Sequence, residues 1–251
     1  MARRPRFPVA IVGAGALGTL FFSRLSKVVP AALIRRKTPR LPEADWVIIL
    51  VKAYDTAAAV RTARRMKAQG IVSLQNGLID AVPQGVTTAA AYREGKRVVP
   101  VATGKTLLPP GYEPLAKLLR KAGFDARVEP DIRTARLRKL LANVCLNPVT
   151  AAFGVRNFEV TKPPYSRFVV ALAREAAPVV GISPSAAIRR VMHVAKVTGK
   201  NRSSMLQDVL AGRRTEIEHL TGALLRLARR RRVNVPTHAA FYQLIRVIEA
   251  S

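Results

Sequence analysis

Two hydrophobic rhythms divide the chain. Up to about residue 131, short apolar runs alternate with amphipathic stretches; beyond it, apolar residues recur at helical spacing. Candidate strands are Val9–Val12, Ala31–Ile34, Val47–Val51, Ile71–Leu74, Val86–Ala91 and Val98–Ala102. Helical stretches fall between them at Leu17–Val28 and Thr56–Ala68. After Pro109-Pro110-Gly111 a further helix is expected from Glu113 to Ala122, then a short edge strand at Ala126-Arg127-Val128. Strand alternating with helix predicts an α/β fold with a parallel, doubly wound sheet. From Ile132 the pattern is helical throughout. Leu137, Leu140, Leu141 and Val144 share one face, and Phe168–Val180 and Pro184–Val197 follow. Ile217, Leu220, Leu224 and Leu227 are spaced for another amphipathic helix, and Pro236 opens a last one through Phe241, Leu244 and Ile248. Pro148 is expected to end or bend its helix at Asn147. The boundary therefore falls near residue 131: an α/β domain over 1–131, then an all-helical domain over 132–251.

The first strand ends in chemistry. Val9 to Val12 runs into Gly13-Ala14-Gly15-Ala16-Leu17-Gly18, and a helical stretch follows. Strand, then Gly-x-Gly-x-x-Gly, then helix is the order of a Rossmann-type dinucleotide site. Gly13 takes the tight turn, Gly15 lets a pyrophosphate approach the backbone, and Gly18 lets helix pack on strand. The helix N-terminus, with the backbone of Ala14, Ala16 and Leu17, then faces the phosphates. An NAD site would place an acid at the end of the second strand. Here that strand runs into Arg35-Arg36-Lys37, and no acid occurs until Glu43. A guanidinium grips a 2′-phosphate bidentately, so NADP is the expected cofactor and Arg35 the expected phosphate ligand.

Charge alters this picture little. The chain of 251 residues carries 43 Lys and Arg against 15 Asp and Glu, a net charge of +28. Such a field attracts polyanions. The basic residues are spread along the chain, however, and the densest cluster, Arg229 to Arg232, closes a helical pattern where cations suit the dipole. Aromatics make up 6%, and no nucleic-acid module interleaves them with the cations. An arginine-rich compositional bias on an enzyme with anionic ligands is favoured over a specific nucleic-acid partner. No run approaches the ~18 apolar residues of a membrane span. Met1 to Arg6 lacks the features of a signal peptide. Cys145 is the single cysteine, which excludes an internal disulfide. A cytoplasmic location is expected.

The helical half holds a polar stripe. Lys139, Asn143 and Asn147 stand at i, i+4 and i+8, one face of a helix whose other residues, Leu140, Leu141, Val144 and Leu146, are apolar. Buried amides need partners, and a bound polar ligand would supply them. A second cluster runs from Asn201 through Ser203, Ser204 and Asp208 to Glu216 and Glu218, where capping or pairing with nearby arginines competes with a ligand role. His193, His219 and His238 show no ligand spacing, and no metal is expected.

Taken together, the glycine turn, Val51-Lys52-Ala53, Gln75-Asn76-Gly77, Lys139 through Asn147-Pro148-Val149-Thr150-Ala151, and Ser203 to Asp208 with Thr215-Glu216-Ile217 resemble the ketopantoate reductase family in order from end to end. The resemblance implies NADPH-dependent reduction of 2-dehydropantoate to (R)-pantoate, a step of pantothenate and coenzyme A synthesis. It implies Lys139 as the catalytic lysine and general acid, with Asn143, Asn147, Asn157 and Ser204 on the substrate. Asn76 would lie between cofactor and substrate, with Lys52, Ala91 and Glu216 on the cofactor side. A homodimer is a further implication. The chain departs from the family in the short Pro-containing link between Arg36 and Ala44, where most members carry extra strands. Two alternatives remain at this point: another NADP-dependent 2-keto or hydroxy-acid dehydrogenase of the same plan, and a non-enzymatic NADPH- or nucleic-acid-binding protein.

Overall fold

The computed structural model describes residues 4–95 and 97–250. The chain divides into two compact units, Met1–Arg136 and Leu137–Ser251.

In the first unit, β1 (Arg6–Val12) leads through the glycine turn into α1 (Ala16–Leu25) and β2 (Ala31–Ile34). Then come β3 (Glu43–Ile49), a 3-10 turn at Ala53–Asp55, α2 (Thr56–Arg64) and β4 (Gly70–Ser73). These strands pair in parallel in the order β2-β1-β3-β4. Along β1 the faces alternate. Val9 and Ile11 pack with Phe21 and Leu25 of α1, while Ala10 and Val12 share a core with Ala59, Val60 and Ala63 of α2. Both faces are apolar because both are covered, as a parallel sheet requires. The chain leaves β1 toward β2 on one side and returns as β3 on the other. That reversal makes a switch point at the carboxyl ends of β1 and β3, where open α/β sheets bind their ligands.

The strands that follow depart from a single wound sheet. The run Val86–Ala91 is two strands, β5 (Val86–Thr87) and β6 (Ala90–Glu94). Thr87 Oγ1 accepts from the amide of Ala89 at 3.1 Å and turns the chain between them. β6 and β7 (Arg97–Ala102) form an antiparallel hairpin with a register shift at Ala90/Ala91. A strand the apolar pattern does not reveal, β8 (Lys105–Leu108), lies in a sheet ordered β5-β8-β9, with β9 at Asp125–Val128. Its buried Thr106 hydroxyl shares a hydrogen bond of 2.9 Å with that of Thr87, so a polar pair occupies an interior position. α3 (Glu113–Lys121) connects β8 to β9.

The helical unit begins within α4 (Ile132–Phe153), then runs through a 3-10 turn at Glu159–Thr161, α5 (Tyr165–Val180) and α6 (Pro184–Val197). α7 (Ser204–Leu210), α8 (Ile217–Arg231) and α9 (Pro236–Ala250) complete it. Contrary to expectation, α4 continues unbroken past Pro148. A proline inside a helix costs about 3 kcal/mol through a lost hydrogen bond and a ring clash. Two features offset that cost. Val144, Cys145, Leu146 and Val149 are buried on either side of it. Thr150 Oγ1 also donates to the carbonyls of Leu146 and Asn147, at 2.9 and 3.0 Å. Cys145 is fully buried, and burial pushes its thiol pKa upward, with Glu175 adding to the rise.

Candidate active site

The glycine turn is built as a cradle. Gly13 has φ +119°, and a Cβ there would meet the Leu50 carbonyl carbon at 2.7 Å. Its N–H donates to the Ile34 carbonyl at 3.1 Å, which fixes the turn to β2. At Gly18 a Cβ would stand 1.9 Å from the Gly13 carbonyl oxygen, so helix and turn touch only because no side chain intervenes. Gly15 differs from both: a Cβ there would meet nothing within 4 Å. Packing does not demand glycine at this position. Bare backbone faces open space at the N-cap of α1, where no side chain caps the helix. Ala16 and Leu17 open the helix beside it. Phosphate oxygens fit such a place, with unpaired N–H groups and the positive end of a helix dipole around them.

Other expected residues follow the ends of the parallel strands. Gly13 follows β1, Arg35 follows β2, Lys52 lies just beyond β3, and Asn76 lies just beyond β4. Because the strands are parallel, these positions share one edge of the sheet. Arg36 is held by Asp55 at 3.2 Å, whereas the Arg35 side chain is exposed and its backbone amide is tied to Thr38 Oγ1 at 2.8 Å. Two buried glutamines brace the edge. Gln75 Nε2 donates to the carbonyls of Val51 and Lys52, at 3.0 and 3.3 Å. Gln84 Nε2 donates to the carbonyls of Gln75 and Gly77, at 3.1 and 2.9 Å, and so frames Asn76. Ala91 stands elsewhere, at the register shift of the β6–β7 hairpin.

In the helical unit the stripe sits on one continuous helix, so Lys139, Asn143 and Asn147 share a face of α4. Lys139 and Asn143 are half-buried and Asn147 is buried. Burial draws the Lys139 ammonium down from the usual lysine range to about 8, while the Glu216 carboxylate opposes the drop. Glu216 is itself buried, at the N-cap of α8. Its neighbours hold it: Thr215 Oγ1 accepts from the Ile217 amide at 3.1 Å, and the Thr215 amide donates to Glu249 at 2.7 Å. The other acids of this region have structural partners. Asp208 pairs with Arg213 at 3.1 Å, and Glu218 accepts from Tyr242 at 2.5 Å.

Ser204 is exposed at the start of α7. Its neighbour Ser203 is buried, caps α7 through the Leu206 amide at 3.1 Å, and shares a hydroxyl–hydroxyl hydrogen bond of 2.7 Å with Thr150 of α4. The serine pair is therefore divided: one pins α7 to α4, the other is exposed. Asn157 donates from Nδ2 to Thr198 at 2.8 Å, which orders its own loop, while its buried Oδ1 has no hydrogen-bond partner among the described residues.

The sequence matches known proteins. A family model described as ketopantoate reductase PanE/ApbA C terminal covers residues 131–249, and its companion, ketopantoate reductase PanE/ApbA, covers 26–110. A 2-dehydropantoate 2-reductase of Pyrobaculum aerophilum is 30% identical over 96% of this chain and 97% of its own. The chain belongs to the ketopantoate reductase family. Its alignment with that relative runs over 275 positions, more than the 251 residues present here, so the relative carries segments this chain lacks. Among solved structures, D-mandelate dehydrogenase with NADH and anilino(oxo)acetate superposes with a TM-score of 0.87 at 20% identity, covering 96% of this chain and 98% of that one. A dimeric ketopantoate reductase from Staphylococcus aureus gives 0.83 at 22%, with 96% and 98% covered. Both likenesses are of fold. Among the described residues of this ketopantoate reductase family member, no helix is long and apolar enough to cross a membrane, and no cluster of His, Cys, Asp or Glu could hold a metal ion.

Sequence reasoning did not single out several residues that brace the expected site positions. In the first unit Gln75, Gln84 and Arg93 bond the backbone around the strand ends and the glycine turn; in the helical unit Thr150, Ser203 and Glu249 tie α4, α7 and the start of α8 to their neighbours. Gln75 and Ser203 stood inside segments already singled out. Glu249 and Arg93 had no signal, because their partners lie far away in sequence.

Proposed function

We propose that this chain is an NADPH-dependent 2-dehydropantoate 2-reductase that makes (R)-pantoate for pantothenate and coenzyme A synthesis. The observation that carries this reading is Lys139: an ammonium with its pKa drawn to about 8, beside Glu216, on the same helix face as Asn143 and Asn147. Membership of the family and the open backbone at Gly15 support it.

NADPH, when held there, would supply the hydride that the keto carbon takes up. Everything else falls to side chains. Negative charge grows on the former carbonyl oxygen, and a cation there stabilises the transition state. Lys139 holds that cation and gives up its Nζ proton to the oxygen as general acid. With a pKa near 8 it is about nine-tenths protonated at neutral pH and yet a better acid than a free lysine. Asn143, Asn147, Asn157 and Ser204 orient the carboxylate and hydroxyl. Glu216 holds Lys139 in its charged form. Gly13 to Gly18 receive the diphosphate, Arg35 the 2′-phosphate, and Lys52, Asn76 and Ala91 line the remaining cofactor surface. A homodimer and a cytoplasmic location belong to the same reading.

The test is consumption of NADPH with a panel of 2-keto acids, each repeated with NADH. The expected result is fast turnover of 2-dehydropantoate with NADPH and slow turnover of bulkier aromatic keto acids such as benzoylformate. A preference for the aromatic acid would reject the substrate, and a preference for NADH would reject the cofactor.

A further inference from the structure

The β6–β7 hairpin sets a guanidinium on the glycine turn. Arg93 of β6 donates from Nη2 to the Ala14 carbonyl at 2.6 Å and to Thr19 Oγ1 at 3.3 Å. Thr19 Oγ1 itself lies 3.3 Å from the same carbonyl. Ala14 stands between Gly13 and Gly15, and Thr19 is in the first turn of α1, so both anchors belong to the phosphate cradle. Both are neutral oxygens. Arg93 is exposed, and among the described residues its partners are these oxygens rather than a carboxylate. Its charge is thus unspent, one residue from the bare backbone of Gly15. The register shift at Ala90/Ala91 lies just before it in β6, and such irregularities re-aim the side chains that follow.

We propose that Arg93 holds the diphosphate of the bound dinucleotide. A guanidinium bonded to a neutral carbonyl gains more from a phosphate, which takes two parallel N–H···O bonds and carries full charge. The Arg93 fork, anchored at the Ala14 carbonyl, lies within a side-chain rotation of a diphosphate placed beside Gly15. The exposed hairpin then serves as its carrier, packed on α1 at the site of need. This proposal rests on the dinucleotide reading of the glycine turn and adds a residue that the turn itself does not contain.

Calorimetric titration of the whole chain with two ligands separates this role from a merely structural one. NADPH carries a diphosphate; adenosine 2′-monophosphate carries only the phosphate assigned to Arg35. Arg93→Met is expected to weaken NADPH by about 10- to 100-fold, the scale of lost charge-assisted hydrogen bonds, and to leave adenosine 2′-monophosphate within about twofold. Arg93→Lys, which keeps the charge and loses the fork, should recover part of the loss. Arg35→Ala should weaken both ligands. Equal losses for both ligands in Arg93→Met, with a lower melting temperature of the free protein, would make Arg93 only a pin for the turn and overturn the proposal. So would an unchanged NADPH affinity. Wild-type protein that binds neither nucleotide would remove the cofactor reading and this proposal with it.

Discussion

Lys139 is under two opposing influences, and they give the reaction a pH signature. Desolvation lowers its pKa, and Glu216 raises it. A general acid works only while protonated, so turnover should be flat at neutral pH and fall as pH climbs past about 8. Glu216→Gln removes the opposing carboxylate, so the alkaline limb should move to lower pH; a limb that stays in place would show that another group sets it. Lys139→Ala should lower kcat by at least ~100-fold while NADPH binding persists, the scale of lost acid catalysis. Single-turnover and titration measurements on that variant separate the two quantities. At this scale the sequence was informative where residues repeat on one helix. The i, i+4, i+8 spacing of Lys139, Asn143 and Asn147 needed no coordinates. Glu216 as the partner of Lys139 could not be read the same way, because dozens of residues separate them.

Among the elements, the glycine turn offers a controlled comparison. Gly18→Ala would drive a Cβ to 1.9 Å from a backbone oxygen, so the variant should unfold at markedly lower temperature. Gly15→Ala meets open space, so its melting temperature should hold while NADPH affinity falls as the Cβ fills the diphosphate's place. Melting curves with and without NADPH distinguish them; equal affinity in Gly15→Ala would move the diphosphate away from the turn. The helical unit has its own probe. Glu175 of α5 receives the amides of Thr237 and His238 at 2.9 and 3.1 Å, and the His238 ring at 3.1 Å, at the start of α9. Burial alone would raise its carboxyl, but these hydrogen bonds outweigh burial and hold it at about 2. Burial pushes the His238 imidazole below the usual histidine value. Both groups add stability that is complete at neutral pH. The histidine share fades as pH drops below the usual imidazole value, and the carboxylate share as pH falls from the usual glutamate range toward 2. Glu175→Gln should cost about 1.5–3 kcal/mol at pH 7 and flatten the acid limb of the melting profile. Element positions were largely legible because apolar period tracks burial. The exceptions have reasons: β8 hides because a buried threonine pair replaces apolar residues, and α4 outlasts Pro148 because packed flanks outweigh a local preference.

Across the whole molecule the surplus of +28 sets the background for every anionic ligand. Screening shortens the reach of surface charge to about 8 Å at physiological salt, so most of these cations cannot act on a bound dinucleotide there. NADPH affinity should therefore fall severalfold from ~10 mM to ~150 mM salt and little beyond, leaving the local grip of the phosphates. DNA retained at low salt should be released over the same range. Titrations in a salt series check both, and DNA binding that outlasts physiological salt would reopen the nucleic-acid reading. Composition gave the size of this field but not its direction, since the cations are distributed over many elements.

The lone thiol has a practical corollary. With Cys145 sealed inside α4 and its ionisation suppressed, thiol reagents have no native target at ordinary pH. A cysteine introduced at an exposed position such as Val197 would then be labelled alone. A dye there could follow ligand arrival without a background-free variant having to be engineered first.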